Sequence, residues 1–180
     1  VALAGRPMVE YVLDALRPQV QAVVISANRY LKEYRAFGPT VVRDEEPGFQ
    51  GPLAGMASAL AAVETPLAAF APCDGPLLPG DLVARLRDAL AEAGTEVAVP
   101  HDGSRSQPAY ALVRTELREA MTEAVRDGER RLGEWLRSRR AAEVDFSDQP
   151  GAFVNINTPA DLERLAARLS ADAGSKRGDH

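Results

Sequence analysis

"PLAAFAPCDGPLLPGDLVARL" runs from Pro66 to Leu86. An apolar run stops abruptly at Cys73-Asp74, a Gly-Pro turn follows, and a helix begins. Pro79 falls early in that helix, Asp81 lies near its start, and Gly94 stands after its end, which is the usual chemistry of helix termini. A strand closing on a carboxylate, then a turn, then a helix: the same order recurs on both sides of this stretch, and it decides the fold class.

Upstream, Arg6–Pro18 reads as a helix, with Pro7 in its first turn and Val9, Val12, Leu13 and Leu16 at helical spacing. Val20–Ala27 reads as a buried β-branched strand, Tyr30–Gly38 as a short helix ended by glycine, and Thr40–Asp44 as another strand. Glu45–Pro52, with two Gly and two Pro, is a loop, and Leu53–Glu64 a helix of small residues. Downstream come the strand "EVAVP", the strand Gln107–Arg114, the helix "TELREAMTEAVRDG" and the helix Arg130–Arg140. The strand-like pieces "AEVDFS" and "AFVNIN" follow, then a final helix with Thr158 as cap and Pro159 at its first position. Strand-helix alternation predicts an α/β fold: a three-layer, mostly parallel twisted sheet with helices on both faces, Rossmann-like. Residues 1–169 form one domain in this reading, and the polar tail 170–180 is disordered.

The chain has 180 residues, enough for one sizeable core. Its net charge is −5 with no basic face, so a nucleic-acid polymer is not expected as a partner. The single cysteine, Cys73, rules out a disulfide framework and fits a reducing cytoplasm. No apolar run approaches the ~18 residues of a membrane span, and no secretory leader is visible. His101 and His180 are too few and too far apart for a histidine metal cluster. Cys73 reads as a small buried residue rather than a nucleophile, and Trp135 as core.

In open α/β sheets, ligands bind beyond the carboxyl ends of the strands. The residues there are Asn28, Asp44, Asp74, His101-Asp102-Gly103, and Asn155 with Asn157, and all five places are polar. Asp74 is either a turn residue or a Mg²⁺ ligand, since Mg²⁺ takes one or two protein carboxylates and completes its octahedron with waters and phosphates. Asp44 is either part of a solvated acidic loop or an acceptor for the N–H donors of guanine. Asn28 either caps a helix or reads a base edge. Gly51, Pro52 and Gly55, in "QGPLAG", either pack small against a neighbour or let a ligand approach a helix N-terminus. Asn155 and Asn157 alternate around Ile156 and so share one face, suited to a polyfunctional heterocycle or to loop hydrogen bonds. Arg130 and Arg131 belong to a solvated basic face or meet a phosphate.

In order along the chain, "VVISANR", "VVRDEEPGFQGPLAGMASAL", "APCDGPLLPGDL", "HDGSRSQPAYAL", "GERRL" and "VDFSDQPGAFVNINTPADL" resemble the molybdenum cofactor guanylyltransferases, the MobA family. The resemblance covers residues 4–169. It implies the fold of the nucleotide-sugar pyrophosphorylases and transfer of GMP from GTP to molybdopterin, with release of pyrophosphate and a requirement for Mg²⁺. It also implies that Asp74 is the metal and catalytic aspartate and that Asn28 and Asp44 contact the guanine nucleotide. Gly51, Pro52, Gly55, Asn155 and Asn157 would face the pterin. GTP and molybdopterin are the implied partners, with molybdoenzyme apoproteins or their chaperones as recipients. The alternatives are a molybdopterin cytidylyltransferase, a sugar-phosphate nucleotidyltransferase, and a non-catalytic module binding a pterin or partner.

Two departures from the family stand out. The signature Gly-rich phosphate loop with its lysine is missing: Ala2–Gly5 looks like it but is followed by Arg6-Pro7, so the sequence starts partway into the family pattern. The expectation is that these 180 residues alone bind GTP poorly and do not turn over. Gln107 replaces the histidine that many members carry before the proline.

Overall fold

The computed structural model describes residues 2–43, 51–156, 158 and 160–166. Ala2–Leu3 (β1) and Arg6–Pro7 (β2) pair antiparallel through a turn. Ala4 and Gly5 there take φ of 50° and 80°, the positive values that a two-residue hairpin turn requires. Met8–Leu16 (α1) follows, then Val24–Ser26 (β3), Leu31–Arg35 (α2) and Thr40–Val42 (β4), with β3 and β4 paired in parallel. Next come Pro52–Ala61 (α3), Leu67–Ala69 (β5), Leu82–Ala93 (α4) and Val97–His101 (β6). Leu112–Arg114 (β7), Arg118–Arg126 (α5), Leu132–Ser138 (α6) and Ala142–Asp145 (β8) follow, and a last helical run covers 160–166.

The larger sheet has the order β5-β7-β6-β8. β6 and β8 run in parallel, while β7 is antiparallel to both β5 and β6. Three strands therefore point one way and β7 runs against them, which makes the predicted α/β sheet a mixed one. The reason is chain length. A parallel crossover needs a dozen or more residues, usually with a helix. The segment between β6 and β7 is shorter and holds only a 3₁₀ turn at Pro108–Tyr110. The predicted strand Gln107–Arg114 is accordingly a 3₁₀ turn followed by three strand residues.

Pleat alternation builds the layers. Ala68, Val97, Val99, Ala111 and Val113 face a core closed by α3, α5 and α6. Leu67, Ala69, Ala98, Leu112, Ala142 and Val144 face the opposite core, closed by α1 and α4. Helices thus cover both faces, as expected. α4 docks through Leu82, Leu86 and Leu90, whose exposure is 0%, 0% and 2%. Burying each such leucine stabilises by roughly 1.5–3 kcal/mol. The exposed Arg87–Asp88 pair on the same helix contributes about 0–1 kcal/mol, so the leucine stripe holds α4 in place.

The elements are shorter than the sequence suggests. The strand expected over Pro66–Asp74 ends at Ala69: Pro72 has no N–H for the ladder, and its partner strand has given way to the 3₁₀ turn. The piece expected over "AFVNIN" is turn and irregular backbone through Ile156, and its buried residues, Phe153 and Ile156, lie three apart with Val154 and Asn155 exposed between them, which is not the two-residue alternation of a strand. Thr158 does cap the last helix. Its Oγ1 accepts from the Asp161 N–H (3.2 Å), and the Asp161 carboxylate accepts from the Thr158 N–H (2.9 Å), a reciprocal capping box. The tail 170–180 lies outside the described residues. Among the described residues no helix is long and apolar enough to cross a membrane.

Candidate functional site

β5 delivers Asp74 to the carboxyl end of the sheet. After Ala69 the chain stays extended, the Phe70 N–H still bonding the Ala111 carbonyl (2.8 Å), and then turns at Cys73-Asp74, with the Gly75 N–H donating to the Pro72 carbonyl (3.3 Å). Asp74 is half-buried. Cys73 packs against the cluster of Val9, Leu13 and Ile25, which Val23, Ala27, Tyr34 and Val41 also cover, so the turn lies on the same core patch as β3 and β4. Asn28, next to Ala27, therefore stands at the same end of the molecule as Asp74, and it is exposed. Cys73 is half-buried rather than fully enclosed. Burial, with the Asp74 charge beside it, pushes its thiol up, as suits an inert packing residue.

Asn155 comes to Asp74 from another direction. The Ile156 N–H donates to the Asp74 carbonyl (3.0 Å), tying the two segments together. Ile156 is held in turn by Leu3, Met8 and Leu165. Tyr110, 1% exposed, donates its hydroxyl to Asn155 Oδ1 (3.0 Å). Gly75 makes this junction possible. A Cβ there would lie 2.0 Å from the Tyr110 hydroxyl and 3.3 Å from Asn155 Oδ1. The residue after Asp74 must be glycine because a neighbour's side chain occupies the space a Cβ would need. Burial first, and then the Asp74 charge, push the Tyr110 phenol up, so it stays protonated and donates. The sequence reading singled out neither Tyr110 nor Gly75. The signal was there for Tyr110: a tyrosine among apolar strand residues needs a partner for its hydroxyl.

The segment carrying Asn155 is braced from behind. Tyr110 meets the Phe153 ring edge-on at 4.9 Å, and Phe153 meets Phe146 at 5.4 Å. Phe153 holds φ 61°, a left-handed conformation that its buried ring (4% exposed) must offset. Arg85 from α4 lies 3.9 Å over the Phe146 ring and ion-pairs with Asp148 at 3.0 Å.

Other predicted residues lie elsewhere. Asp102 organises its own loop: its Oδ1 accepts from the Ser104 N–H (2.8 Å), the Ser104 hydroxyl (2.7 Å) and the Arg105 N–H (2.9 Å). These bonds hold its carboxyl well below the usual range. Gln107, nearly buried, donates to Asp102 Oδ2 at 2.6 Å, so the residue standing in for the family's histidine ties down this loop. His101 Nδ1 accepts from the Gly103 N–H (3.1 Å). Gly51, with φ 84°, begins α3, and a Cβ on it would lie 3.7 Å from the Arg130 carbonyl. Gly51, one residue before α3, thus borders the Arg130 loop, while Pro52 and Gly55 lie in the first turns of α3. Arg130 folds back onto the Val125 and Glu129 carbonyls (2.8 and 2.9 Å), and Arg131 pairs with Glu134 (2.8 Å). Both line an open groove of about 670 Å³ with Trp135, which is core on its other side. Asp44 and Asn157 lie outside the described residues.

Among the described residues, no three or more His, Cys, Asp or Glu side chains gather as a metal cage. A single half-buried carboxylate at a strand end fits Mg²⁺, which keeps several waters and substrate oxygens, and does not fit a structural zinc or calcium site.

The family model described as "MobA-like NTP transferase domain" matches residues 1–144. A molybdenum cofactor guanylyltransferase of Shewanella sp. (strain MR-4) is 45% identical over 170 residues, covering 94% of this chain and 86% of the relative. One from Shewanella sediminis is 41% identical, covering 94% and 87%. Among solved structures, molybdopterin-guanine dinucleotide biosynthesis protein A from Archaeoglobus fulgidus superposes with a TM-score of 0.77 at 22% identity, covering 95% of this chain and 89% of that one. The 2-C-methyl-D-erythritol 4-phosphate cytidylyltransferase of Thermus thermophilus superposes with a TM-score of 0.69 at 24% identity, covering 94% and 91%. At these identities the two structures speak for the nucleotidyltransferase fold alone. Sequence and fold agree: the chain belongs to the MobA-like NTP transferase family.

Proposed function

We propose that the protein transfers GMP from GTP to molybdopterin, releasing pyrophosphate and forming the guanine dinucleotide of the molybdenum cofactor. The observation that carries this reading is the 45% identity to a molybdenum cofactor guanylyltransferase across 94% of the chain. The convergence of Asp74 and Asn155 at the carboxyl edge of the sheet supports it.

The chemistry is in-line attack by a terminal phosphate oxygen of molybdopterin on the α-phosphorus of GTP, the P–O bond to pyrophosphate breaking as the new one forms. Positioning and charge neutralisation supply most of the acceleration, with no covalent chemistry asked of the chain. Asp74 holds Mg²⁺ through its carboxylate. When bound, the metal neutralises charge developing on the phosphate oxygens. Asn28, beyond the end of β3, and Asp44 contact the guanine nucleotide. Gly51, Pro52, Gly55, Asn155 and Asn157 serve the pterin side, and Gly51 starts α3 with its first N–H groups open to an anion. Molybdoenzyme apoproteins or their chaperones receive the product.

The test is turnover. Full-length protein with GTP, Mg²⁺ and molybdopterin should release pyrophosphate and yield a guanine dinucleotide. Turnover with CTP and none with GTP would refute the guanylyl assignment. Turnover of a sugar 1-phosphate in place of molybdopterin would refute the acceptor.

A further inference from the structure

We infer that Tyr110 is a positioning residue that sets the direction of the Asn155 amide, so that Asn155 meets the second substrate as a hydrogen-bond donor. The inference rests on the reading of Asn155 as a pterin-side residue. It extends that reading to a residue outside the expected site.

The geometry is specific. An amide has an accepting end and a donating end, and a side chain free to flip offers a ligand either one. Here the Tyr110 hydroxyl donates to Oδ1 at 3.0 Å. The planar amide must then turn its NH₂ away from Tyr110. Asn155 is exposed, so this donating end is presented at the edge where Asp74 lies. Tyr110 cannot readily swing off. It is 1% exposed, sits in the 3₁₀ turn ahead of β7, and is wedged by Phe153 at 4.9 Å. Its hydroxyl fills the space that a side chain at position 75 would need. The group that Asn155 recognises is therefore an acceptor, a phosphate or pterin carbonyl oxygen, rather than an N–H donor.

Tyr110→Phe removes the hydroxyl and keeps the ring on Phe153. In full-length protein it should raise KM for molybdopterin about 3–10-fold, the value of one hydrogen bond, with KM for GTP unchanged. In an Asn155→Ala background the same substitution should add nothing, because the group it orients is gone. A merely structural role would persist in that background and would move both KM values, and either result overturns the inference. A second readout does not depend on turnover. The Asn155 side-chain NH₂ signals in the nitrogen-correlated NMR spectrum, assigned by their loss in Asn155→Ala, should shift in Tyr110→Phe. Unchanged signals overturn the contact. Shifted signals in a protein inactive with GTP and molybdopterin would refute the guanylyltransferase reading while upholding the orientation of the amide.

Discussion

Replacing Gly75 with alanine tests the packing around the candidate site most directly. Gly75 does not hold a positive φ, so alanine meets no backbone strain there, and the whole penalty is steric. The added Cβ would sit 2.0 Å from the Tyr110 hydroxyl and 3.0 Å from its Cζ. The ring must withdraw by more than an ångström into a core where Phe153 already touches it. Overpacking of this kind costs about 1–3 kcal/mol. Losing the Tyr110–Asn155 hydrogen bond adds about 1 kcal/mol. The stiffer unfolded chain returns roughly 0.4–1 kcal/mol. The net loss is about 1–3 kcal/mol, or roughly 2–12 °C in Tm for a domain of this size. Urea or thermal unfolding measures it. The double variant Gly75→Ala with Tyr110→Phe removes the atom at 2.0 Å and should recover most of the loss, giving a coupling that additive effects cannot produce. A Gly75→Ala protein as stable as the parent, or a double variant that is the plain sum of the singles, would refute the reasoning.

Asp74→Asn keeps the shape and removes the charge, so the rate of pyrophosphate release should fall about 10²-fold or more with Tm unchanged; an unaffected rate would return Asp74 to the role of a turn residue. Asp102 carries a depressed pKa through the Ser104 hydroxyl and the Arg105 and Ser104 amides, so its stabilisation is present above the ordinary value of 3.8 and is lost as pH falls below it. Asp102→Asn should accordingly flatten the pH–stability curve below about pH 4, and an unchanged acid limb would remove Asp102 from the account. Arg85→Ala strips the cation from the Phe146 ring and breaks the Asp148 pair. It should cost about 1–2 kcal/mol, with faster amide exchange across 146–156, and unaltered exchange there would show that the brace does not act on the Asn155 segment.

Several parts of this protein were legible in the sequence because they follow from local rules. Pro79 and Gly94 bracket α4, and Asp81 falls at its N-cap, although the Asp81 carboxylate accepts from Gln149 (2.8 Å) and does not cap the helix. Thr158 caps its helix as its residue type and spacing suggested. Asp74 stood out in the sequence because a carboxylate that interrupts an apolar run is conspicuous. The direction of β7 was not legible, because strand pairing is a long-range choice. Only the short link from β6, with its 3₁₀ turn, reveals the reversal.

The sequence by itself determined the alternation of elements, the buried stripes and the ordered motif set, since periodicity and turn chemistry act over a few residues. Tertiary structure alone decided which loops meet. Asp74 and Asn155 are far apart in sequence, and the Ile156-to-Asp74 backbone bond that joins them has no local signature. The same holds for Tyr110 and Gly75. A tyrosine in an apolar segment and a glycine in a turn are ordinary residues until the fold sets the hydroxyl of one where the side chain of the other would have been.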